Sequence, residues 1–310
     1  MNRWSILYRG SLSSCNYGCT YCPFAKTINS SAELARDARQ LQRFVDWVET
    51  RDEQIGVLFT PWGEALFHQS YQNAIMRLSH MKNVWKVAIQ TNLSCNLEWL
   101  SKCNTQTVAL WTTYHPTQTT RDRFAAQCQS LRRLGIAHSV GVVGFKDQMD
   151  EIVALRRTLP SETYLWINAY KRDLDYYSDK DIERLEEIDP LFRINTIHHP
   201  SLGKSCRAGS TTFSVDGDGV IRRCHFIKEA IGNIYSPDFE KSLWRQMCTN
   251  TTCGCHIGYV HLESLDLYSV FGEGLLERIP TVGEGSAGAA PKDFVQSGPD
   301  PKKIILFPKA

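Results

Sequence analysis

The chain has 310 residues, of which 42% are hydrophobic, so it is long enough to bury one large domain and a small one. Its 35 basic and 33 acidic residues are well mixed and give a net charge of +2, so a nucleic-acid partner is not expected. No run of 18 apolar residues occurs and residues 1–5 do not resemble a signal peptide, so we expect a cytoplasmic protein without a membrane partner.

Short apolar runs alternate with amphipathic segments over roughly the first 170 residues. We predict strands at about 6–9, 55–59, 85–91, 108–114, 140–145 and 164–170, and helices at about 32–50, 69–81, 119–134 and 147–159. This alternation implies an α/β fold with a parallel sheet and right-handed crossovers, since short apolar strands are typical of a sheet buried on both faces. Ligands of such sheets gather at the carboxyl ends of the strands.

Three cysteines follow the first predicted strand. Cys15, Cys19 and Cys22 are spaced three and then two residues apart, so their thiolates can hold three irons of a 4Fe-4S cube and leave the fourth iron without a protein ligand. An open position on a metal is a reactive position. Cys-x2-Cys also occurs in zinc knuckles and redox sites, so these three cysteines alone do not distinguish an iron-sulfur cluster from those sites.

This cysteine spacing, with the aromatic Tyr21 just before Cys22, resembles the signature of the radical S-adenosylmethionine (radical SAM) enzymes. The order of elements over residues 1–200 is similar to their six-unit partial barrel, so the resemblance implies a partial (β/α)6 TIM-like barrel. It also implies that the open iron binds the amino and carboxylate groups of SAM. An electron, from a donor such as flavodoxin or ferredoxin, then cleaves SAM to methionine and a 5′-deoxyadenosyl radical, which abstracts hydrogen from the substrate.

The same resemblance implies a SAM pocket at the strand ends. In the family a Gly-Gly-Glu segment after the second strand binds the SAM amino group, and here the segment reads Trp62-Gly63-Glu64. A carboxylate facing an ammonium makes a charge-assisted hydrogen bond, although an acid at a helix start is also common. The SAM-binding residues that the resemblance implies are Tyr21, Gly63, Glu64, Thr91, Asn92, Gly144 and Asn168.

A second group of cysteines lies between residues 206 and 255. Residues 213–221 between Cys206 and Cys224 read as a β-hairpin with an Asp-Gly turn, which would bring these two cysteines near each other. Cys248, Cys253 and Cys255 follow. A four-cysteine zinc ribbon has similar spacing, so spacing alone does not identify the metal.

This second group resembles the auxiliary-cluster modules of radical SAM enzymes, the SPASM and shorter twitch domains. The resemblance implies one auxiliary 4Fe-4S cluster held by Cys206, Cys224, Cys253 and Cys255, with Cys248 as an alternative ligand. We expect a barrel domain at 1–200 and an auxiliary-cluster domain at 201–280. Residues 281–310 begin with a stretch rich in Gly, Ala and Ser and are expected to be a flexible tail.

The sequence therefore favours a radical SAM enzyme. Its substrate is expected to be a peptide or protein, with a small-molecule metabolite as the alternative. A further alternative, from another class, is a non-enzymatic protein that uses zinc or iron-sulfur clusters as structural staples.

Overall fold

The computed structural model describes residues 3–24, 27–173 and 175–281. The tail expected at 281–310 therefore lies outside the described residues, apart from Thr281. The fold is α/β, as predicted. No helix in the described part of the chain is long and apolar enough to cross a membrane.

The six strands predicted for the barrel are present, with ends shifted by up to a few residues. They are β1 (Arg3–Arg9), β2 (Gln54–Phe59), β3 (Val84–Thr91), β4 (Val108–Tyr114), β5 (Ala137–Val143) and β6 (Leu165–Asn168). The four predicted helices are α1 (Ser31–Glu49), α2 (Gln69–Ser79), α3 (Arg121–Arg133) and α4 (Met149–Thr158).

The remaining elements are short. The helices are α5 (Asp179–Glu186), α6 (Phe192–Thr196), α7 (His256–Tyr259) and α8 (Leu267–Phe271). The strands are β7 (His199–Pro200), β8 (Thr212–Asp216), β9 (Val220–Arg222), β10 (Ala230–Asn233) and β11 (Thr252–Cys253). The hairpin predicted from the Asp-Gly turn is thus formed by β8 and β9, whereas α5 and α6 have no counterpart among the predicted elements.

One nine-stranded sheet joins the barrel to the hairpin. Its order is β10-β9-β8-β1-β2-β3-β4-β5-β6. Strands β1 to β6 are parallel, and β8 pairs with β1 in parallel, with Tyr8 opposite Val215. Strands β9 and β10 continue the sheet in antiparallel pairs. The carboxyl ends of β1 to β6 and of β8 therefore lie at the same edge of the sheet.

The two faces of the barrel sheet bury different sets of side chains, as the alternation of a strand requires. Ile6 of β1 lies in the large core that includes α1 to α4, whereas Leu7 lies in a second cluster on the opposite face. Ile257 and Leu276 pack into that second cluster. The segment after Cys255 therefore covers part of the sheet face opposite α1 to α4.

Candidate iron-sulfur and SAM site

The cysteine loop after β1 is held at its start by α1 and the residues before it. The backbone N–H groups of Ser11 and Leu12 donate to Asp37 Oδ1 at 2.6 and 3.0 Å. Asn29 Oδ1 accepts from the N–H groups of Ser13 and Ser14 at 2.8 and 2.9 Å. Asp37 and Asn29 each accept two backbone N–H groups, and together they fix the path of the loop just before its first cysteine.

The loop then packs against the segment that follows β2. The N–H of Glu64 donates to the carbonyl oxygen of Ser14 at 3.1 Å. A Cβ atom built on Gly63 would lie 1.8 Å from that same oxygen. Only glycine leaves room for such an approach, so the structure gives a physical reason for the glycine before Glu64.

Glu64 is a buried carboxylate that joins β2 to β3. Its Oε1 accepts from the Thr91 hydroxyl at 2.7 Å and from the Leu66 N–H at 3.2 Å, and its Oε2 accepts from the Asn92 N–H at 2.6 Å. Burial raises the pKa of Glu64 to about 7, against the opposing effect of these three hydrogen bonds. A carboxylate can accept about four hydrogen bonds, so one position remains.

Asn92 carries this connection on to the first cysteine. Its Nδ2 donates to Asn16 Oδ1 at 3.0 Å and lies 3.7 Å from Cys15 Sγ. Asn16 Nδ2 in turn donates to Ser94 Oγ at 2.9 Å. Glu64, Asn92 and Cys15 therefore form one chain of contacts across the ends of β1, β2 and β3.

The far end of the loop is tied to β4 and β6. The Tyr21 hydroxyl shares a 2.7 Å hydrogen bond with His115 Nδ1, and the Gly18 N–H donates to Gln118 Oε1 at 2.9 Å. Burial lowers the pKa of His115 to about 4, so this ring is neutral. Arg172, just after β6, donates to the carbonyl oxygen of Tyr21 at 3.1 Å.

The structure brings the three loop cysteines together. Cys15 and Cys22 are half-buried and Cys19 is buried. Burial raises the pKa of the Cys15 thiol, and negative charge on Cys19 and Cys22 adds to the shift. Among the described residues, no three His, Cys, Asp or Glu side chains converge on a point that would hold a single ion. A cube binds each thiolate to a different iron, so it does not require such convergence.

Gly144 and Asn168 pair with each other at the ends of β5 and β6. The Gly144 N–H donates to the Asn168 carbonyl oxygen at 2.9 Å, and the Tyr177 hydroxyl donates to the Gly144 carbonyl oxygen at 2.5 Å. Both residues therefore lie at the same sheet edge as the cysteine loop, where their backbones are hydrogen-bonded to each other.

The hairpin brings four of the later cysteines into one neighbourhood. Burial raises the pKa of the Cys253 thiol to about 12, and negative charge on Cys224, Cys255, Cys248 and Cys206 contributes, in that order. Burial likewise raises the pKa of Cys224 to about 11, with contributions from Cys206 and Cys248. Cys255 is exposed, and its charge acts on Arg9 and on Lys171 as well as on Cys253. Cys255 therefore lies on the side of this group that faces the barrel.

Arg223 ties together the segments that carry these cysteines. It is 3% exposed, and its Nε donates to the Ala208 carbonyl oxygen at 3.1 Å. Its terminal nitrogens donate to the carbonyl oxygens of Met247 and, at 2.6 Å, of Gln246. One side chain next to Cys224 thus anchors the backbone near Cys206 and Cys248.

Lys171 connects the later cysteines to the barrel. Its Nζ donates to the carbonyl oxygens of Asn195 and Gly254, both at 2.5 Å. Burial lowers the pKa of Lys171 to about 8. The peptide between Cys253 and Cys255 is therefore fixed to the end of β6, the same edge that carries the first cysteine loop.

No protein-family model matches the sequence, and no curated protein matches it. Solved structures do match the fold. One is native anSMEcpe with bound AdoMet, at a TM-score of 0.53 and 14% identity, with 77% of this chain and 83% of that chain covered. Another is Streptococcus suis SuiB bound to its precursor peptide SuiA, at a TM-score of 0.53 and 13% identity. Coverage there is 78% of this chain and 65% of SuiB, so this chain spans just under two thirds of SuiB.

Both neighbours are radical SAM enzymes with a SPASM domain. This chain has the radical SAM fold. The resemblance drawn from the sequence is confirmed at the level of the fold, including the partial barrel. Within that radical SAM fold, the sequence did not single out Asn16, Arg223 or Lys171. Lys171 directly follows the sixth predicted strand, and Arg223 is next to Cys224. Only these positions in the sequence could have marked the two residues as part of the site.

Proposed function

We propose that this protein is a radical SAM enzyme in which Cys15, Cys19 and Cys22 hold a 4Fe-4S cluster that binds SAM. The observation that carries the proposal is the chain of contacts from Glu64 through Asn92 to Cys15, which sets a three-cysteine loop against the ends of β2 and β3. When bound, the cluster supplies the electron that cleaves SAM to methionine and a 5′-deoxyadenosyl radical able to abstract hydrogen from substrate.

The residues around the loop are proposed to bind and orient SAM. Glu64 has one acceptor position left and would accept a hydrogen bond from the SAM ammonium. The positive charge of that ammonium would favour the ionised carboxylate. The Thr91 hydroxyl and the Asn92 N–H hold that carboxylate in place. The other residues proposed for this pocket are Tyr21, Gly63, Gly144 and Asn168.

The auxiliary cluster is proposed to be bound by Cys206, Cys224, Cys248 and Cys253. This set replaces Cys255 of the expected ligands with Cys248. The support is that in every pair of these four thiols the charge of one raises the pKa of the other, while Cys255, whose charge also acts on Cys253, is exposed and acts on Arg9 and Lys171 as well. Cys255 remains outside this proposed set.

Residues 1–200 and 201–280 are proposed as the barrel domain and the auxiliary domain. They share one sheet through the pairing of β1 with β8, so the two sites have a common rigid support.

We further propose that the protein works in the cytoplasm with flavodoxin or ferredoxin as the electron donor. A peptide or protein is the favoured substrate, because SuiB, which has the same fold, binds a precursor peptide. A small-molecule metabolite is the alternative.

The test is analysis of the full chain after anaerobic reconstitution with iron and sulfide. Two cubes give about eight iron atoms and about eight sulfides per chain, and reduction in the presence of SAM yields 5′-deoxyadenosine. Stoichiometric zinc without sulfide, and no 5′-deoxyadenosine, would support the non-enzymatic alternative. A Cys206→Ala, Cys224→Ala double variant should keep about four irons, since the first cysteine loop is a separate part of the chain.

A further inference from the structure

A cavity of about 370 Å³ lies between the cysteine loop and the hairpin. Its walls include Arg9 and Trp62 from the ends of β1 and β2, and Asp216, Arg222 and His225 from the hairpin. A larger cavity, of about 510 Å³, lies near His80 at the opposite edge of the sheet, away from the cysteines. The smaller cavity therefore lies beside the segment that leads to Cys15 and beside His225, the residue after Cys224.

The charged groups of the cavity leave one cation uncompensated. Arg222 Nη1 donates to Asp216 Oδ2 at 2.7 Å, and the other Asp216 oxygen accepts two backbone N–H groups at 3.0 Å. Asp216 and Arg222 therefore neutralise each other. Arg9 donates from Nε to the Thr60 carbonyl oxygen at 2.9 Å. In residues 3–24, 27–173 and 175–281, no carboxylate forms an ion pair with Arg9, and its terminal nitrogens have no hydrogen-bond acceptor. The negative charge that acts on Arg9 is that of the Cys255 thiol, which is not part of the cavity wall.

His225 supports this arrangement through Thr60. Its Nε2 shares a 2.7 Å hydrogen bond with the Thr60 hydroxyl, so Thr60 fixes both His225 and Arg9.

Trp62 gives the cavity an apolar wall beside this cation. The Arg9 guanidinium lies 5.6 Å from the centre of the Trp62 ring, and Trp62 is 47% exposed. Phe24 stacks on Trp62 with the ring centres 5.8 Å apart. An unpaired guanidinium next to an exposed aromatic surface suits a carboxylate attached to an apolar group, because Arg binds carboxylates with two parallel hydrogen bonds.

We propose that this cavity binds a carboxylate of the substrate, with Arg9 as its charge partner and Trp62 as its apolar wall. This inference rests on the proposed function and names a chemical feature of its substrate. SAM also carries a carboxylate, but the residues proposed to hold SAM lie on the other side of Gly63: Glu64 faces Thr91 and Asn92, whereas Trp62 faces Arg9 and Phe24.

Isothermal titration calorimetry of the full, reconstituted chain tests the proposal with N-acetylphenylalanine and its uncharged amide as probes. Loss of a hydrogen-bonded charge partner typically costs tenfold to a hundredfold in affinity, so the acid should bind about tenfold or more tightly than the amide. Arg9→Gln should abolish this preference. Arg43→Gln is the matched control, because Arg43 stacks on Tyr235 at 3.6 Å outside the cavity and its loss should leave the preference intact.

Three results would overturn the proposal. Equal binding of acid and amide by the unaltered protein, including no detectable binding of either, would show that the cavity does not select a carboxylate. Survival of the preference in Arg9→Gln would remove Arg9 from the site. Displacement of the acid by SAM would assign the cavity to the carboxylate of SAM. A protein that forms 5′-deoxyadenosine but binds both probes alike would disprove this inference alone and leave the proposed function standing.

Discussion

Gly63 lies so close to the carbonyl oxygen of Ser14 that a Cβ atom on Gly63 would be 1.8 Å from it. The neighbouring Glu64 N–H donates to that oxygen at 3.1 Å. The oxygen belongs to the residue just before Cys15, so this approach places the first proposed iron ligand relative to β2. The end of β2 thus supports the cysteine loop through its backbone as well as through the Glu64 side chain.

Gly63→Ala should therefore disrupt the first cluster site. The new methyl group would meet backbone, which cannot move aside like a flexible side chain, and overpacking of this kind costs about 1–3 kcal/mol or more. Gly18→Ala is the matched control, since a Cβ there meets nothing within 4 Å. Iron analysis after reconstitution should show loss of about four irons in Gly63→Ala and none in Gly18→Ala. Equal iron in the two variants would refute the supporting role of Gly63.

Glu64→Gln should weaken SAM binding while the iron content stays near that of the unaltered protein. Removing one charged partner from a hydrogen bond costs about 1.5–3 kcal/mol, or tenfold to a hundredfold in Kd. Equilibrium binding of SAM under anaerobic conditions measures the change. Asp189→Asn removes another buried carboxylate, one that contacts Tyr164 and Ile167, and should leave SAM affinity unchanged. Unaltered SAM affinity in Glu64→Gln would show that Glu64 connects β2 to β3 and does not bind SAM.

Glu64 should also make stability depend on pH. Its pKa is about 7 in the folded chain against 4.5 as the ordinary value, so between these values the folded state binds more protons than the unfolded state. Stability should therefore fall as pH rises from about 4.5 to 7 and level off above 7, by roughly 3 kcal/mol in total. Urea unfolding of the metal-free, reduced protein at pH 5 to 8 should show this slope, and Glu64→Gln should lack it. An identical dependence of unfolding free energy on pH in both proteins would contradict the raised pKa of Glu64.

Much of the fold was predictable because its signals are local. The alternation of apolar runs and amphipathic segments gave β1 to β6 and α1 to α4, and the Asp-Gly turn gave the β8–β9 hairpin. The pairing of β8 with β1 was not predictable, because it joins Tyr8 to Val215 across some two hundred residues and no local pattern specifies it. Helix α5 begins with a capping box at Ser178 and Asp181, a local signal for its start that was missed. The five residues of α6 are too few to show the periodicity that identifies a helix.

The candidate site, like the fold, was predictable only where its signals are local in the sequence. The spacing of Cys15, Cys19 and Cys22 could be read from the sequence, because a loop of eight residues keeps them close whatever the fold. The contact of Lys171 with Gly254 could not, since it depends on how the end of β6 faces a distant segment. The unpaired state of Arg9 likewise follows only from the placement of Asp216 beside Arg222.

Single alanine variants of the later cysteines should separate ligands from non-ligands. Cys248→Ala should reduce the iron of the auxiliary site, because it removes one of four thiolates, whereas Cys255→Ala should keep about eight irons per chain. Iron and sulfide assays after anaerobic reconstitution distinguish the two. Loss of iron in Cys255→Ala with full iron in Cys248→Ala would restore the ligand set expected from the sequence.

The proposed function requires that the loop of Cys15, Cys19 and Cys22 binds the cluster that cleaves SAM. The most direct measurement is the 5′-deoxyadenosine formed from SAM by the reconstituted, reduced protein and by its Cys15→Ala, Cys19→Ala and Cys22→Ala variants. We expect product from the unaltered protein and none above background from each variant, because each substitution leaves the cube one thiolate short. Undiminished product from any one of the three variants, or no product from the unaltered protein with its full iron, would contradict the proposed function.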